Sequence, residues 1–160
     1  ALAARKVPEV NGLWVDDTFR ASEHVHLGVA VSLRGGGLVA PAILDADQLS
    51  VDALMAQLRD LVSRTRSGRL RQREMSSGTL TVTNLGDLGA DAVYGVIYPP
   101  QVALVGLGRV AERPWAHNGM VGAKPTVSAT LSADHRATDG HIGSRFLITL
   151  AELLSTPEEL

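Results

Sequence analysis

From Leu131 to His141 the sequence reads Leu-Ser-Ala-Asp-His-Arg-Ala-Thr-Asp-Gly-His, which crowds two acids, two histidines and an arginine into eleven residues. They follow an alternating apolar run, Thr126 to Leu131, that reads as a buried strand. Imidazole beside carboxylate permits several chemistries. It could ligate zinc, manganese or iron, but no HExxH or facial-triad spacing accompanies it. It could serve a serine hydrolase, but the chain has no G-x-S-x-G elbow. Finally, Arg136 and Asp139 could pair to hold a tight turn, with His135 incidental. Taken alone, these eleven residues favour the turn, and only their context can change that.

The elements that must position this stretch are legible on either side of it. Ala1 to Val7 reads as the end of a helix stopped by Pro8, with no cap at its start, so the chain is expected to begin in mid-element. Leu13 to Val15 and Thr18 to Ser22, around Asp16-Asp17, read as a hairpin. His24 to Leu33 alternates, and Gly35-Gly36-Gly37 turns it into the apolar run Leu38 to Leu44. Ser50 caps a helix whose apolar face is Val51, Leu54, Met55, Leu58, Leu61 and Val62, ended by Gly68. The arginines at 59, 64, 66, 69, 71 and 73 read as a solvated helix end rather than a phosphate site. Gly78 to Gly86 and Gln101 to Gly108 are strands, and Asn118-Gly119 is the strongest hairpin signal. After Asp139-Gly140, Ile142, Phe146, Leu147, Leu150, Leu153 and Leu154 mark a helix ended at Pro157. The sum is an α/β layered domain, a mixed β-sheet flanked by helices.

Composition narrows the class. A chain of 160 residues with 45% hydrophobic and 20% charged residues can bury one core, and a formal net charge of −2 suggests no nucleic-acid partner. The absence of cysteine excludes disulfides, thiolate metal sites and a cysteine nucleophile. No apolar run approaches the ~20 residues that span a bilayer, and ALAARKVPEV lacks a signal-peptide core, so a cytoplasmic protein with no membrane partner is expected.

The strand, the loop and the helix that follows it together resemble the active-site segment of the dihydrolipoamide acyltransferases, the core components of 2-oxo acid dehydrogenase complexes. That family shares a fold with chloramphenicol acetyltransferase. Its D-H-R-x-x-D-G signature is matched at Asp134, His135, Arg136, Asp139 and Gly140. The likeness continues through KVPEVNGLW, HVHLGVAV, GLVAPAILDAD, GTLTVTNLGDLG and YPPQVALVGLG, in family order. It implies a catalytic domain over residues 1–160 that lacks its N-terminal part, with no lipoyl or peripheral-subunit-binding domain in this chain. Neither Lys6 nor Lys124 sits at a hairpin tip with small and acidic neighbours. The swinging lipoyl group is expected on a domain outside these residues.

The resemblance also implies an activity: an acyl group moves between the dihydrolipoyl thiol and coenzyme A, both substrates, with no metal. His135 is the implied base, its ring oriented by its own backbone carbonyl. Thr83 is the implied oxyanion donor, since a serine or threonine of the family stands two residues before the Leu-Gly that is Leu85-Gly86 here. Asp139 is implied as catalytic support, holding the loop through an ion pair, with Asp134, Arg136 and Gly140 shaping it; Gly140 is expected to give the backbone freedom to turn into the helix. Val93 and Asn84 are candidates for the acyl pocket. Ala133 and Val93 stand where larger aromatics occur in pyruvate-type relatives, which favours a branched-chain acyl group. The alternatives are acetyl transfer in a pyruvate dehydrogenase core and a non-catalytic core component. Free antibiotic acetylation is disfavoured, because the chloramphenicol-type signature has His-His where this chain has Asp134-His135. The family forms homotrimers that build cubic or icosahedral cores, with the decarboxylase and dihydrolipoamide dehydrogenase components as partners. The histidine and the hydroxyl come from neighbouring subunits.

Overall fold

The computed structural model describes residues 1–33 and 35–157. Helix α1 (Leu2–Lys6) ends before Pro8, and the hairpin of β1 (Gly12–Val15) and β2 (Thr18–Ala21) turns through Asp16 and Asp17, both with positive φ. The two expected runs that follow are each broken once: β3 (Leu27–Val29), β4 (Val31–Ser32), β5 (Leu38–Val39) and β6 (Ala42–Ile43). β4 pairs with β5, while β3 pairs with β6. The second break falls at Ala40-Pro41, where proline has no N–H to continue a ladder.

Helix α2 (Val51–Arg66) is capped by Ser50, whose Oγ accepts from the Ala53 N–H at 3.3 Å, and the chain leaves it through Gly68 at φ +69°. A short helix unforeseen in the sequence, α3 (Gln72–Ser76), follows because Arg64 reaches across to Glu74 with two bonds of 2.6 and 2.7 Å. That pair removes Arg64 from the solvated row of arginines.

The central sheet has five strands in the order β11-β8-β7-β3-β6, with β7 (Leu80–Asn84), β8 (Ala103–Leu107) and β11 (Ala129–Ala133). The β3/β7 and β7/β8 pairs are parallel, whereas β8/β11 and β3/β6 are antiparallel, so the sheet is mixed. Between β8 and β11 rises a hairpin of β9 (Ala111–His117) and β10 (Met120–Thr126), turned by Asn118 and Gly119 at φ 51° and 75°. This is the two-residue turn that Asn-Gly predicts. β11 is an edge strand and only half-buried, not the buried strand its alternation suggested.

One face of the sheet is covered by helices. Leu80, Ala103 and Val105 pack with Val82 and Leu131 against Phe146 and its neighbours on α4 (Gly140–Ser155), and α1 closes this core. On the other face, residues 91–95 cross β8 closely. A β-carbon at Gly106 would collide with the Val93 carbonyl, which is why the apolar run of β8 is interrupted by glycine there. Thr130 Oγ1 donates to the same carbonyl and fixes the crossing.

Candidate active site

Alternation along β7 puts Leu80 and Val82 toward the helices, so Thr81 and Thr83 point to the opposite face. Thr81 is buried and its Oγ1 bonds Gln101 Oε1 at 2.7 Å. Thr83 is half-buried, next to Gly106 in the register, at the end of the sheet where Val93 crosses. Val93 is only 8% exposed and packs over Gly106, so it and Thr83 share one neighbourhood. Asn84 is exposed, and its Oδ1 accepts from the Gly86 N–H at 2.8 Å; it shapes the turn that follows Thr83.

The loop that carries His135 lies at the other end. The Asp134 N–H donates to the Val102 carbonyl at 2.7 Å, which fastens the loop just before β8 begins. Asp134 Oδ1 then accepts from the Arg136 N–H at 3.0 Å, and Arg136 Nε and Nη2 reach the same carboxylate at 3.0 and 2.6 Å. These bonds hold the Asp134 carboxyl low, at about 2. The Arg136 guanidinium also sits 4.4 Å from the centre of the Trp14 ring.

Asp139 does something different from the expected ion pair. It is the N-cap of α4, its Oδ1 accepting from the Ile142 N–H at 2.9 Å, and the loop's ion pair runs from Arg136 to Asp134 instead. The reason is local: a single residue separates Asp134 from Arg136 across a tight turn, while Asp139 is taken up by a helix whose first N–H groups need an acceptor. The Ile142 N–H, first of all, keeps the Asp139 carboxyl below its ordinary value, with smaller contributions from His141 and His135. Gly140 was expected to supply backbone freedom, yet it opens α4 without a positive φ. A β-carbon there would meet nothing among the described residues.

His135 itself is exposed, and its imidazole bonds no other described residue. Its two neighbours are fixed while its ring is free. It lines a cavity of about 600 Å³ together with Ala133, Asp139, Ser144, Leu147 and Ile148. The wall from α4 was missed in the sequence. A signal existed: Ile148 continues the apolar character onto the side of α4 away from Phe146 and stays 57% exposed, which marks a helix with a second apolar face. Trp14 was also missed, because a lone aromatic in a short strand carries no spacing. His141 is an exposed residue of the first turn of α4. Among the described residues no three of His, Asp and Glu gather at metal-ligand spacing, and no helix is long and apolar enough to cross a membrane.

Over residues 1–160 the sequence matches the family described as 2-oxoacid dehydrogenases acyltransferase (catalytic domain). A dihydrolipoyllysine-residue acetyltransferase component of the pyruvate dehydrogenase complex from Rickettsia bellii is 34% identical over 157 residues, covering 98% of this chain and 37% of its own length. A succinyltransferase component of the 2-oxoglutarate dehydrogenase complex from Haemophilus influenzae is 36% identical over 158 residues, covering 99% of this chain and 38% of its own. The chain thus spans well under half of the curated relatives it matches. Among solved structures, Azotobacter vinelandii dihydrolipoamide acetyltransferase superposes with a TM-score of 0.90 at 26% identity, over 96% of this chain and 63% of that one. That structure addresses the roles of a serine, a histidine and an asparagine in catalysis, the histidine 52 positions after the serine and the asparagine four after the histidine. The cubic core of a pyruvate dehydrogenase multienzyme complex superposes at 0.89 with 27% identity, over 96% and 63%. Chloramphenicol acetyltransferase shares the fold, with a TM-score of 0.60 at 14% identity over 95% and 72%.

Proposed function

The chain belongs to the catalytic domains of the 2-oxoacid dehydrogenase acyltransferases, and we propose that it transfers an acyl group between a dihydrolipoyl thiol and coenzyme A with His135 as general base. The observation that carries the reading is the free, exposed imidazole at the mouth of an apolar cavity, on a loop whose flanking residues are both fixed. Spacing supports it: Thr83, His135 and Asp139 stand 52 and four positions apart, as do the serine, histidine and asparagine of the Azotobacter vinelandii enzyme.

The chemistry needs a base. A thiol of pKa about 8.5 is only a few per cent thiolate at neutral pH. A neutral imidazole takes the coenzyme A proton as the sulfur attacks the acyl-dihydrolipoyl carbonyl. The carbonyl π electrons move to oxygen, and Thr83 donates a hydrogen bond to the resulting oxyanion. Collapse breaks the carbon–sulfur bond to the dihydrolipoyl group, whose sulfur leaves with the proton held by the imidazolium. In this reading the ring, which is free in the structure, takes its working orientation by bonding its own backbone carbonyl. Asp139 supports the base by capping α4, and Asp134 and Arg136 shape the loop.

The site is shared between copies. Thr83 and the His135 loop attach to opposite ends of β8, at Gly106 and Val102, and Thr83 faces away from the helices. A homotrimer that apposes the two ends, built into a larger cubic or icosahedral core, brings them together; the resemblance to a cubic core supports this. The lipoyl group comes from a domain outside this chain, and the decarboxylase and dihydrolipoamide dehydrogenase components are the partners of that assembly.

For the acyl group, the branched-chain preference rests on small residues at both half-sites: Ala133 lines the cavity beside His135, and Val93 lies beside Thr83. The relatives named above are acetyl- and succinyltransferase components and lend that preference nothing. Assay of the assembled full-length protein with acetyl-, succinyl-, isobutyryl- and isovaleryl-coenzyme A and dihydrolipoamide tests both points. His135→Ala should abolish transfer of every acyl group; a variant that kept most of its activity would remove His135 from the role of base. Faster turnover of acetyl or succinyl than of the branched thioesters would end the branched-chain reading alone.

A further inference from the structure

We propose that Trp14 is a positioning residue for His135, acting through the Arg136 guanidinium. The proposal rests on the reading of His135 as the base, but the contact it starts from stands independently of the reaction. The Arg136 Cζ lies over the Trp14 ring, 4.4 Å from its centre, and the guanidinium edge bonds the Asp134 carboxylate. His135 is the residue between Asp134 and Arg136, so a clamp on both of them limits how its backbone can tilt. Arg136 is 59% exposed and Asp134 11%, so the guanidinium is held at its edge by that carboxylate and over the indole by the ring, with water around the rest.

The platform is itself anchored to the loop. The Trp14 N–H donates to the Pro100 carbonyl at 2.7 Å, and the Val102 N–H donates to the Gly12 carbonyl at 3.2 Å. Val102 then receives the Asp134 N–H, so β1 and the His135 loop hang on the same three residues, 100–102. The choice of tryptophan has a cost, because its Nε1 is buried with no partner. Phenylalanine would avoid that orphan donor. Indole offers the strongest ring face for a cation, and the stack on Arg136 is what the orphan donor is tolerated for.

The test uses the assembled full-length protein and two readouts. Trp14→Leu should speed amide exchange across residues 136–138, two of which, Ala137 and Thr138, donate to the Asp134 carbonyl. It should also lower kcat by roughly 5- to 10-fold, since small misplacements of a catalytic group are costly, with KM for coenzyme A and dihydrolipoamide unchanged. Trp14→Phe should keep most of both properties. In an Arg136→Met background, Trp14→Leu should have no further effect on either. Unchanged exchange in Trp14→Leu, a loss expressed in KM, failure of phenylalanine to rescue, or full additivity with Arg136→Met would each overturn the clamp. If Trp14→Leu does not assemble, Arg136→Lys decides, because it keeps the charge but loses the planar fork and stack; exchange as slow as in the parent refutes. Loosened exchange alongside an active His135→Ala variant would keep the clamp and reject the acyl-transfer base.

Discussion

Mixing two inactive variants gives the sharpest test of the shared site. Thr83 is in register with Gly106, and the Asp134 N–H is bound to Val102, so the two half-sites are four residues apart along β8 and two strands apart across the sheet. At about 3.3 Å per residue and ~4.8 Å per strand, they lie roughly 16 Å apart within one chain. A base and an oxyanion donor that serve one thioester must both come within about 3 to 3.5 Å of the reacting atoms. No side-chain rotation spans that gap, so in the proposed reading each site takes Thr83 from one copy and His135 from another. His135→Ala and Thr83→Ala assemblies should each be nearly inactive. Co-assembled at equal ratio, a site works when its histidine comes from the Thr83→Ala chain and its hydroxyl from the His135→Ala chain, which happens at random in about a quarter of sites of a closed symmetric ring. Acyl transfer by the reassembled mixture should therefore recover to about 25% of the parent. Recovery indistinguishable from the separate variants, with mixed assemblies demonstrated by mass spectrometry, would show that the site is completed within one chain.

Thr83→Val removes the hydroxyl at nearly constant shape and should lower kcat about 10²- to 10³-fold while KM hardly moves; a change confined to KM would contradict the oxyanion role. Arg64→Met strips the partner from Glu74, which is 8% exposed, and should destabilise the fold by about 2–3 kcal/mol without altering KM. The Arg64 hydrogen bonds, foremost, hold the Glu74 carboxyl below its ordinary value. Its stabilisation is therefore complete above the unfolded value near pH ~4.3 and fades as pH falls through the lower folded one. Denaturant melts from pH 7 down to 3 should show the gap between Arg64→Met and the parent narrowing in acid, and a constant gap would refute the assignment.

Sequence alone determined what depends on near neighbours. Ser50 and Gly68 bound α2 and Asn118-Gly119 turned its hairpin, because caps and turns act over a few residues, whereas the D-H-R-x-x-D-G residues pointed to one base only through their resemblance to a family. Even the mixed layered architecture followed from the order of such segments. Tertiary structure decided everything that needed a partner from elsewhere. It drew Arg64 onto Glu74 to make α3, broke two strands at Ala30 and at Ala40-Pro41, and gave Arg136 to Asp134 and Trp14 while Asp139 capped α4. It also put Thr83 and the His135 loop beside opposite ends of β8, although both belong to motifs readable in the chain. The physical reason is that periodicity reports which face a residue takes, whereas the pairing of strands sets how far apart two such faces lie.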